Sequence, residues 1–191
     1  MRKTLLFTIL CLFVLSITTA FAQEPVSQSK TAKMAIIPYI NSTEETKGYV
    51  QEIIDSKYTE QYSNKMFEII SPIEVAKALN SAGFDVSNKE LPEKDVLASV
   101  AKATNADYVI AMEVSQLITT RHLSFFQSKV VTKAKLRYKF YNAVQDKVIS
   151  FQVTGESENK TVFGDVGYKD PITKALNQAM DSANEKIMNN L

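Results

Sequence analysis

The sequence predicts an α/β (α+β) fold, in which three to four helices cover a mixed β-sheet of about five strands. Two observations support this class. In the first half, short apolar runs alternate with segments whose apolar residues recur at helical spacing. In the second half, two segments alternate between apolar and polar residues, and a final amphipathic segment follows them.

The first 22 residues differ from the rest of the chain. Arg2-Lys3 precede an apolar run over 5–17, and the segment closes on Ala20-Phe21-Ala22. A basic start, an apolar centre and an A-x-A end are typical of a secretory signal peptide. The alternative is a buried helix of the fold, but the segment has no polar face. We therefore predict a cleaved signal peptide, 1–22, and a periplasmic or secreted protein.

Removal of the signal peptide changes the composition of the chain. The 191-residue precursor has 22 basic and 21 acidic residues, and loss of Arg2 and Lys3 takes its net charge from +1 to −1. Without an excess of cations, nucleic acid is not an expected partner. The one cysteine, Cys11, leaves with the signal peptide, and His122 is the one histidine. We therefore expect no disulfide, no metal site and no cofactor.

The mature chain is predicted to consist of a flexible leader, 23–32, and a single globular domain, 33–191. The leader is polar, whereas the remainder carries regular apolar patterns without a linker that would divide it. A chain of this size buries a little under ~70% of its unfolded surface, which is enough for one core.

The first half of the domain is predicted to contain two short strands and three helices. The strands are 34–40 and 66–70, and the helices are about 43–64, 72–82 and 93–104. Ser42 with Glu45 forms a capping box for the first helix, and Ser71 with Pro72 begins the second. Gly83 ends the second helix in a left-handed conformation. The predicted inward residues of that helix are Ile73, Ala76, Leu79 and Ala82.

The second half is predicted to be rich in strands. Its strands are 107–114, 131–141 and 148–155, its loops are 119–128 and 156–169, and its last helix starts at Asp170. The second and third of these strands form a hairpin, because one register brings their apolar faces together. In that register Tyr138 faces Phe151, and Lys133 faces Glu156.

Four segments of this domain resemble a known family. They are KMAIIPYINST (33–43), MFEII (66–70), VAKATNADYVI (100–110) and LRYKFYNA (136–143). These segments are similar to the strands and joints of the curli-secretion-channel-like (CsgG-like) family, which is related in fold to the amino-terminal domain of TolB. Bacterial lipoproteins that activate cell-wall synthases look similar too. The resemblance covers about 33–190.

The resemblance implies an envelope-facing module that binds protein partners, often as an oligomer, and it brings no catalytic residues. Two departures limit what carries over. The chain lacks the lipid-attachment motif of the channel-forming members, and it has one candidate membrane hairpin, 117–131, where those members insert two. A pore is therefore not predicted, and any membrane contact is expected to be peripheral only.

A basic stripe along one predicted strand is the first candidate contact surface. It consists of Lys133, Lys135, Arg137 and Lys139. Four cations at alternate positions of a strand lie on one face and can attract an acidic partner. The alternative is a solvated strand face that Glu156 partly neutralises.

The predicted loop before that strand is the second candidate contact surface. Its residues of interest are Arg121, Leu123, Phe125 and Phe126. Exposed apolar side chains on a loop can anchor a partner. The alternative is a turn that packs on the core.

The function predicted from the sequence is that of a non-enzymatic, protein-binding module of the cell envelope, able to self-associate. Its partner would be an envelope protein or a second copy. The alternative is a structural homo-oligomer related to outer-membrane secretion channels. A hydrolase is the third hypothesis, which the lone His122 and the absence of a G-x-S-x-G motif disfavour.

Overall fold

An open six-stranded sheet organises the computed structural model of this protein, and four helices pack on it. The structure describes residues 31–45, 47–63, 66–162 and 167–191. Within that part, residues Thr31–Leu191 belong to one compact unit. The mixed α+β class predicted from the sequence is confirmed. The predicted signal peptide, 1–22, lies outside the described residues, and the division into leader and domain stays a prediction.

The elements follow one another in the order strand, strand, helix, strand, two helices, three strands and helix. The strands are β1 (Ala32–Ile36), β2 (Ile40–Asn41), β3 (Phe67–Ile69), β4 (Tyr108–Leu123), β5 (Ser128–Asn142) and β6 (Lys147–Thr161). The helices are α1 (Gly48–Ser63), α2 (Pro72–Ser81), α3 (Lys94–Thr104) and α4 (Lys169–Met188). A short 3-10 helix, Val86–Asn88, lies between α2 and α3.

The sheet has a parallel half and an antiparallel half. Its strand order is β3-β1-β4-β5-β6, and β2 pairs with β4 beside this path. The strands β3, β1 and β4 run parallel, whereas β4, β5 and β6 form antiparallel pairs. The long strands β4, β5 and β6 therefore form a three-stranded meander with β6 at one edge.

Two apolar layers lie on opposite faces of the sheet. On one face, α1 and α4 bury Ile54, Tyr58 and Leu176 against Tyr138 and Phe140. On the other face, the buried residues of α2 and α3 pack on the parallel half, and they are Val75, Ala78, Leu79, Leu97, Val100 and Ala101. Helices on both faces are what a buried parallel sheet requires.

The predicted hairpin register is confirmed residue by residue. Tyr138 lies opposite Phe151, with their rings stacked at 5.4 Å between centroids. On the other face, Lys133 lies opposite Glu156, and Lys133 Nζ is 2.6 Å from Glu156 Oε1. The alternation of apolar and charged residues therefore sufficed to fix the register, because a slip of one residue would bury the charges.

The meander is longer at one end than the sequence predicted. The predicted loop over 119–128 is wrong, since β4 and β5 pair up to Leu123 and Ser128 and leave a turn over 124–127. The predicted loop over 156–169 is wrong in its first part, because β6 extends to Thr161. A β-bulge between Val114 and Gln116 interrupts the alternation of side chains along β4. The alternating apolar pattern therefore did not predict the second half of this strand.

The starts and faces of two helices also differ from expectation. The capping box predicted at Ser42 and Glu45 is not formed, because α1 begins at Gly48 and Ser42 Oγ donates to the Lys89 carbonyl at 3.2 Å. In α2, Ile73 is 81% exposed. Ile73 was predicted to face inward, but the buried residues of α2 are Val75, Ala78 and Leu79. Ser71 makes no side-chain hydrogen bond as the cap of this helix. Gly83 follows with φ +70, the left-handed conformation that was predicted.

None of the helices in the described part of the chain combines the length and the apolar character needed to cross a membrane.

Candidate interaction surface

The strands of the meander continue beyond the β-bulge as a three-stranded arm. We call residues 116–123, 128–135 and 154–161 the strand extension. In this part the α2 and α3 layer no longer covers the sheet, because that layer contacts β4 near Val109 and Ala111. Ile118, on that open face, is 50% exposed.

Helix α4 supports the other face of the extension. It lies close to β6 at Gly155, where an added Cβ atom would be 1.9 Å from the Ala175 carbonyl oxygen. At the amino-terminal end of α4, the guanidinium carbon of Arg121 lies 4.7 Å from the centre of the Tyr168 ring. Arg121, predicted as a loop contact residue, is therefore a strand residue stacked on Tyr168, an interaction worth about 0.5–1 kcal/mol at an exposed site.

Polar contacts between the strands and with α4 add to the packing of the extension. The Thr119 and Thr132 hydroxyls are 3.0 Å apart on neighbouring strands. Lys129 pairs with Glu158. The Glu156 N–H donates to Gln178 Oε1 of α4 at 2.9 Å. Such cross-strand pairs contribute a few tenths of a kcal/mol each, so together they order the arm.

A tight turn closes the β4–β5 hairpin at the tip of the extension. The Ser124 N–H donates to the Gln127 carbonyl at 2.8 Å, which leaves Phe125 and Phe126 as the two central residues. Their rings meet edge to face at 5.3 Å. Phe125 is 96% exposed, Phe126 72% and Leu123 74%. We call these three residues the apolar tip.

The conformation of the turn does not require phenylalanine. Two-residue hairpin turns favour Asn-Gly or Gly at positions of positive φ. Neither Phe125 nor Phe126 has a positive φ, so many residues could occupy this turn. The alternative of a turn packed on the core is not what the fold forms, since all three side chains of the apolar tip point into solvent.

The basic stripe lies on the face of β5 that points away from α4, and carboxylates accompany most of it. Lys133 pairs with Glu156 at 2.6 Å. Lys139 Nζ lies 2.9 Å from Glu93 Oε1, which belongs to the segment preceding α3. Lys135 is the member of the stripe that has no ion pair within the part of the chain that the structure describes. The stripe therefore carries less net charge than its sequence suggests, and its role as a contact surface stays a prediction.

Arg137 differs from the rest of the stripe because its partner is buried. The carboxylate of Glu113 lies directly across the β4–β5 ladder and forms an ion pair with Arg137. Glu113 is 1% exposed. The adjacent Glu113 carboxylate raises the pKa of the Arg137 guanidinium above its ordinary value. Sequence reasoning missed Glu113, although a lone charge inside an apolar strand is a signal that some cation must face it.

The described residues bring no three potential metal ligands among His, Cys, Asp and Glu together. His122 lies on the exposed end of β4 opposite Lys129, a cation rather than an orienting carboxylate. The prediction of no catalytic role for His122 therefore stays a prediction, and its partner across the ladder, Lys129, is not the orienting carboxylate that a general base needs.

No family model matches the chain, and no curated protein matches its sequence. Solved structures give likenesses of fold. A hypothetical protein from Chlamydia trachomatis superposes with a TM-score of 0.50 at 15% identity, over 84% of this chain and 95% of the other. A Neisseria meningitidis lipoprotein gives a TM-score of 0.48 at 11% identity, over 83% and 99% of the two chains. The carboxy-terminal domain of LpoB from Salmonella enterica gives 0.41 at 10% identity, over 65% and 82%. At 15% identity, the likeness to the Chlamydia trachomatis protein shows a common fold alone.

Proposed function

We propose that this protein is a non-enzymatic interaction module of the bacterial cell envelope, and that it binds a protein partner with the apolar tip. The observation that carries the proposal is the pair Phe125 and Phe126, whose rings stand at the end of an ordered arm and contact each other instead of the core. The envelope location rests on the predicted signal peptide and on the resemblance to the curli-secretion-channel-like family.

The energetics of exposed rings support this use of the tip. Full burial of a phenylalanine side chain is worth about 1.5–3 kcal/mol. The fold gains little of that energy from Phe125 and Phe126, because both rings lie in water. A partner that covers them gains it, and aromatic anchors are typical of the residues that dominate protein interfaces.

The decisive experiment places a photo-crosslinking amino acid in the tip of the protein expressed in cells. Incorporation at Phe126 should give a discrete crosslinked product with an envelope protein. The matched control is Val144, which is also exposed but belongs to the turn at the opposite end of the meander. Equal products at both positions, or none at either, would refute a contact through the tip.

Affinity provides a second measurement once that partner is purified. The double variant Phe125→Ser/Phe126→Ser should weaken binding at least about tenfold, which corresponds to 1.4 kcal/mol. The Val144→Ser variant should bind like the unaltered protein. Binding that survives the loss of both rings would place the contact elsewhere.

The proposed interface does not include the basic stripe, and one substitution tests this exclusion. Because Lys133, Arg137 and Lys139 have carboxylate partners, Lys135 is the position that tests it without disturbing an ion pair. We expect Lys135→Glu to change the affinity less than twofold, as for a solvated strand face. A larger loss would bring the stripe into the interface.

Self-association is the second candidate function, in which another copy of the chain covers the apolar tip. The observation in its favour is the position of β6 at the edge of the sheet, since an edge strand offers unpaired backbone groups to a second chain. Light scattering on the purified protein distinguishes the two. A mass that stays monomeric at high concentration excludes the homo-oligomer and leaves the heterologous partner.

A further inference from the structure

A crevice opens where the parallel half of the sheet changes direction. After β1 the chain forms the short β2 beside β4 and then enters α1 on one face of the sheet, whereas after β3, the neighbour of β1, it enters α2 on the opposite face. The two connections therefore separate at the carboxyl ends of β1 and β3. In open α/β sheets this topological switch point is where ligands bind.

The crevice has the volume and the composition of a small-molecule site. Its volume is about 550 Å³, within the range of about 300–1,000 Å³ typical of ligand pockets. Pro38 and Tyr39 follow β1, Ile70 and Pro72 follow β3, and all four line the crevice, so both loops contribute apolar groups to it. Polar lining residues come from α1, which contributes Asp55, Gln51 and Thr59, and from Asn41 of β2.

The polar groups of the crevice select the charge of its ligand. None of the described residues that line the crevice is Lys, Arg or His, so a phosphate or carboxylate would find no countercharge among them. Asp55 is the one charged lining residue, and it makes no ion pair within the described ranges. Burial, together with the Asp55 charge, raises the pKa of the Tyr39 hydroxyl, so Tyr39 remains a neutral hydrogen-bonding group at pH 7.

We propose that this switch-point crevice binds a small organic cation, with an apolar body between the loops after β1 and β3 and an ammonium group at the Asp55 carboxylate. Pro38, Ile70 and Pro72 are the lining residues that would contact the apolar body. The ammonium group donates to Asp55, and the Tyr39 hydroxyl is the second polar contact. This site lies apart from the apolar tip and does not depend on the function proposed for the tip.

Titration with two matched probes tests the charge preference. Phenethylamine carries the aromatic body and the cation, whereas 2-phenylethanol replaces the ammonium group with a neutral hydroxyl. In NMR titrations of the purified protein, phenethylamine should shift the amides of Tyr39 and Ile70 and bind about fivefold more tightly than the alcohol, as for one partly exposed ion pair. Equal affinities, or shifts spread evenly over the surface, would overturn the proposal.

The contribution of Asp55 is separated from general electrostatics by a control on the same helix. Asp55→Asn should bring the two probes to about equal affinity while the alcohol binds as before. Glu52→Gln removes the same charge from α1 at an exposed position that does not line the crevice, and it should preserve the preference for the amine. If both variants lose the preference equally, the effect is one of net charge and the assigned site is wrong.

Discussion

Residues 108–114 and 116–123 belong to the same strand, β4, but only the first set is buried throughout, apart from the half-buried Tyr108. In the first set even the charged Glu113 is covered, and its carboxylate has to be matched by Arg137. In the second set the strand pairs with β5 just as regularly, yet half of its side chains face solvent.

The two regions of β4 differ in the helices that cover the faces of the sheet. The globular end has helices on both faces, so its apolar residues stabilise the fold through burial. The strand extension has α4 on one face, and polar pairs between strands replace much of that burial. Apolar residues at the end of the extension therefore contribute little to folding, which leaves Phe125 and Phe126 free to serve recognition.

The largest predicted effect concerns the junction between the two regions at Gly155. Gly155→Ala would place a Cβ atom 1.9 Å from the Ala175 carbonyl oxygen and 2.8 Å from the Ala179 nitrogen, so α4 must move away from β6. We expect the free energy of unfolding to fall by about 3 kcal/mol or more. Urea denaturation measures it.

The control for this substitution is Gly48→Ala, at the start of α1, where an added Cβ meets nothing within 4 Å. Because alanine is the better helix former, this variant should be neutral or gain up to about 1 kcal/mol. A mild effect at Gly155 would mean that α4 and β6 separate easily, and the extension would then lose its support.

A pair of identical substitutions compares the two regions directly. Leu136→Ala removes a fully buried side chain beside Val114 and Val153, and it should cost about 2–5 kcal/mol. Leu123→Ala removes an exposed one from the apolar tip and should stay within about 0.5 kcal/mol. Thermal unfolding of both variants gives the comparison. Similar losses at the two positions would show that the tip is packed in solution.

Arg137 should contribute to the stability of the fold, whereas Lys135, its neighbour in the stripe, should contribute little. Arg137→Ala leaves the buried Glu113 carboxylate without its ion pair, and we expect a loss of about 2 kcal/mol. Lys135→Ala on the same face should change the free energy of unfolding by less than about 0.5 kcal/mol. Urea denaturation of the two single variants distinguishes them. Equal losses would mean that the cost comes from the strand face as a whole.

The smallest predicted effect concerns a hydroxyl in the core. The hydroxyl of Tyr138 is buried, and no hydrogen-bond partner for it exists among the described residues. Tyr138→Phe should therefore be neutral or gain up to about 1 kcal/mol at pH 7. Tyr168→Phe, at an exposed ring, is the control for loss of a hydroxyl in general. A clear loss of stability in Tyr138→Phe would reveal a hydrogen bond at that site.

The same residue predicts the response of the protein to alkali. Burial raises the pKa of Tyr138 and of Tyr58 well above 10.0. Above about pH 10 the unfolded chain therefore loses these protons first, and the free energy of unfolding falls as the pH rises. Urea denaturation between pH 8 and 10.5 should show this decline, and Tyr138→Phe should make it shallower. An unchanged slope would show that Tyr138 ionises as readily in the folded protein.

Much of the fold could be predicted because its patterns are local. The register of β5 with β6 follows from the alternation around Tyr138 and Phe151, and the fold class follows from the order of strands and helices. The extension could not be predicted, because the bulge at Ser115 shifts the period of β4. The polar end of β6 carries no apolar signal, and pairing with β5 alone makes it a strand.

The candidate sites likewise divide into features that local sequence predicts and features that depend on tertiary structure. The sequence identified Phe125 and Phe126 because two adjacent aromatic residues stand out in any polar context. It placed Arg121 in a loop, whereas its contact with Tyr168 depends on a strand that the bulge concealed. The partners of the stripe come from separate elements, since Glu93 precedes α3 and Glu113 lies within β4. Only tertiary structure brings those charges together.

The turn that holds the apolar tip has a kinetic consequence. The Ser124 and Gln127 backbone groups bond to each other, and β4 and β5 stay paired up to Leu123 and Ser128. The backbone of the tip is therefore ordered before the tip meets a partner. Binding then has to restrict only two aromatic side chains, each with two rotatable bonds, instead of a whole loop. Association through this hairpin should proceed in a single step, at a rate that rises in proportion to partner concentration and does not level off.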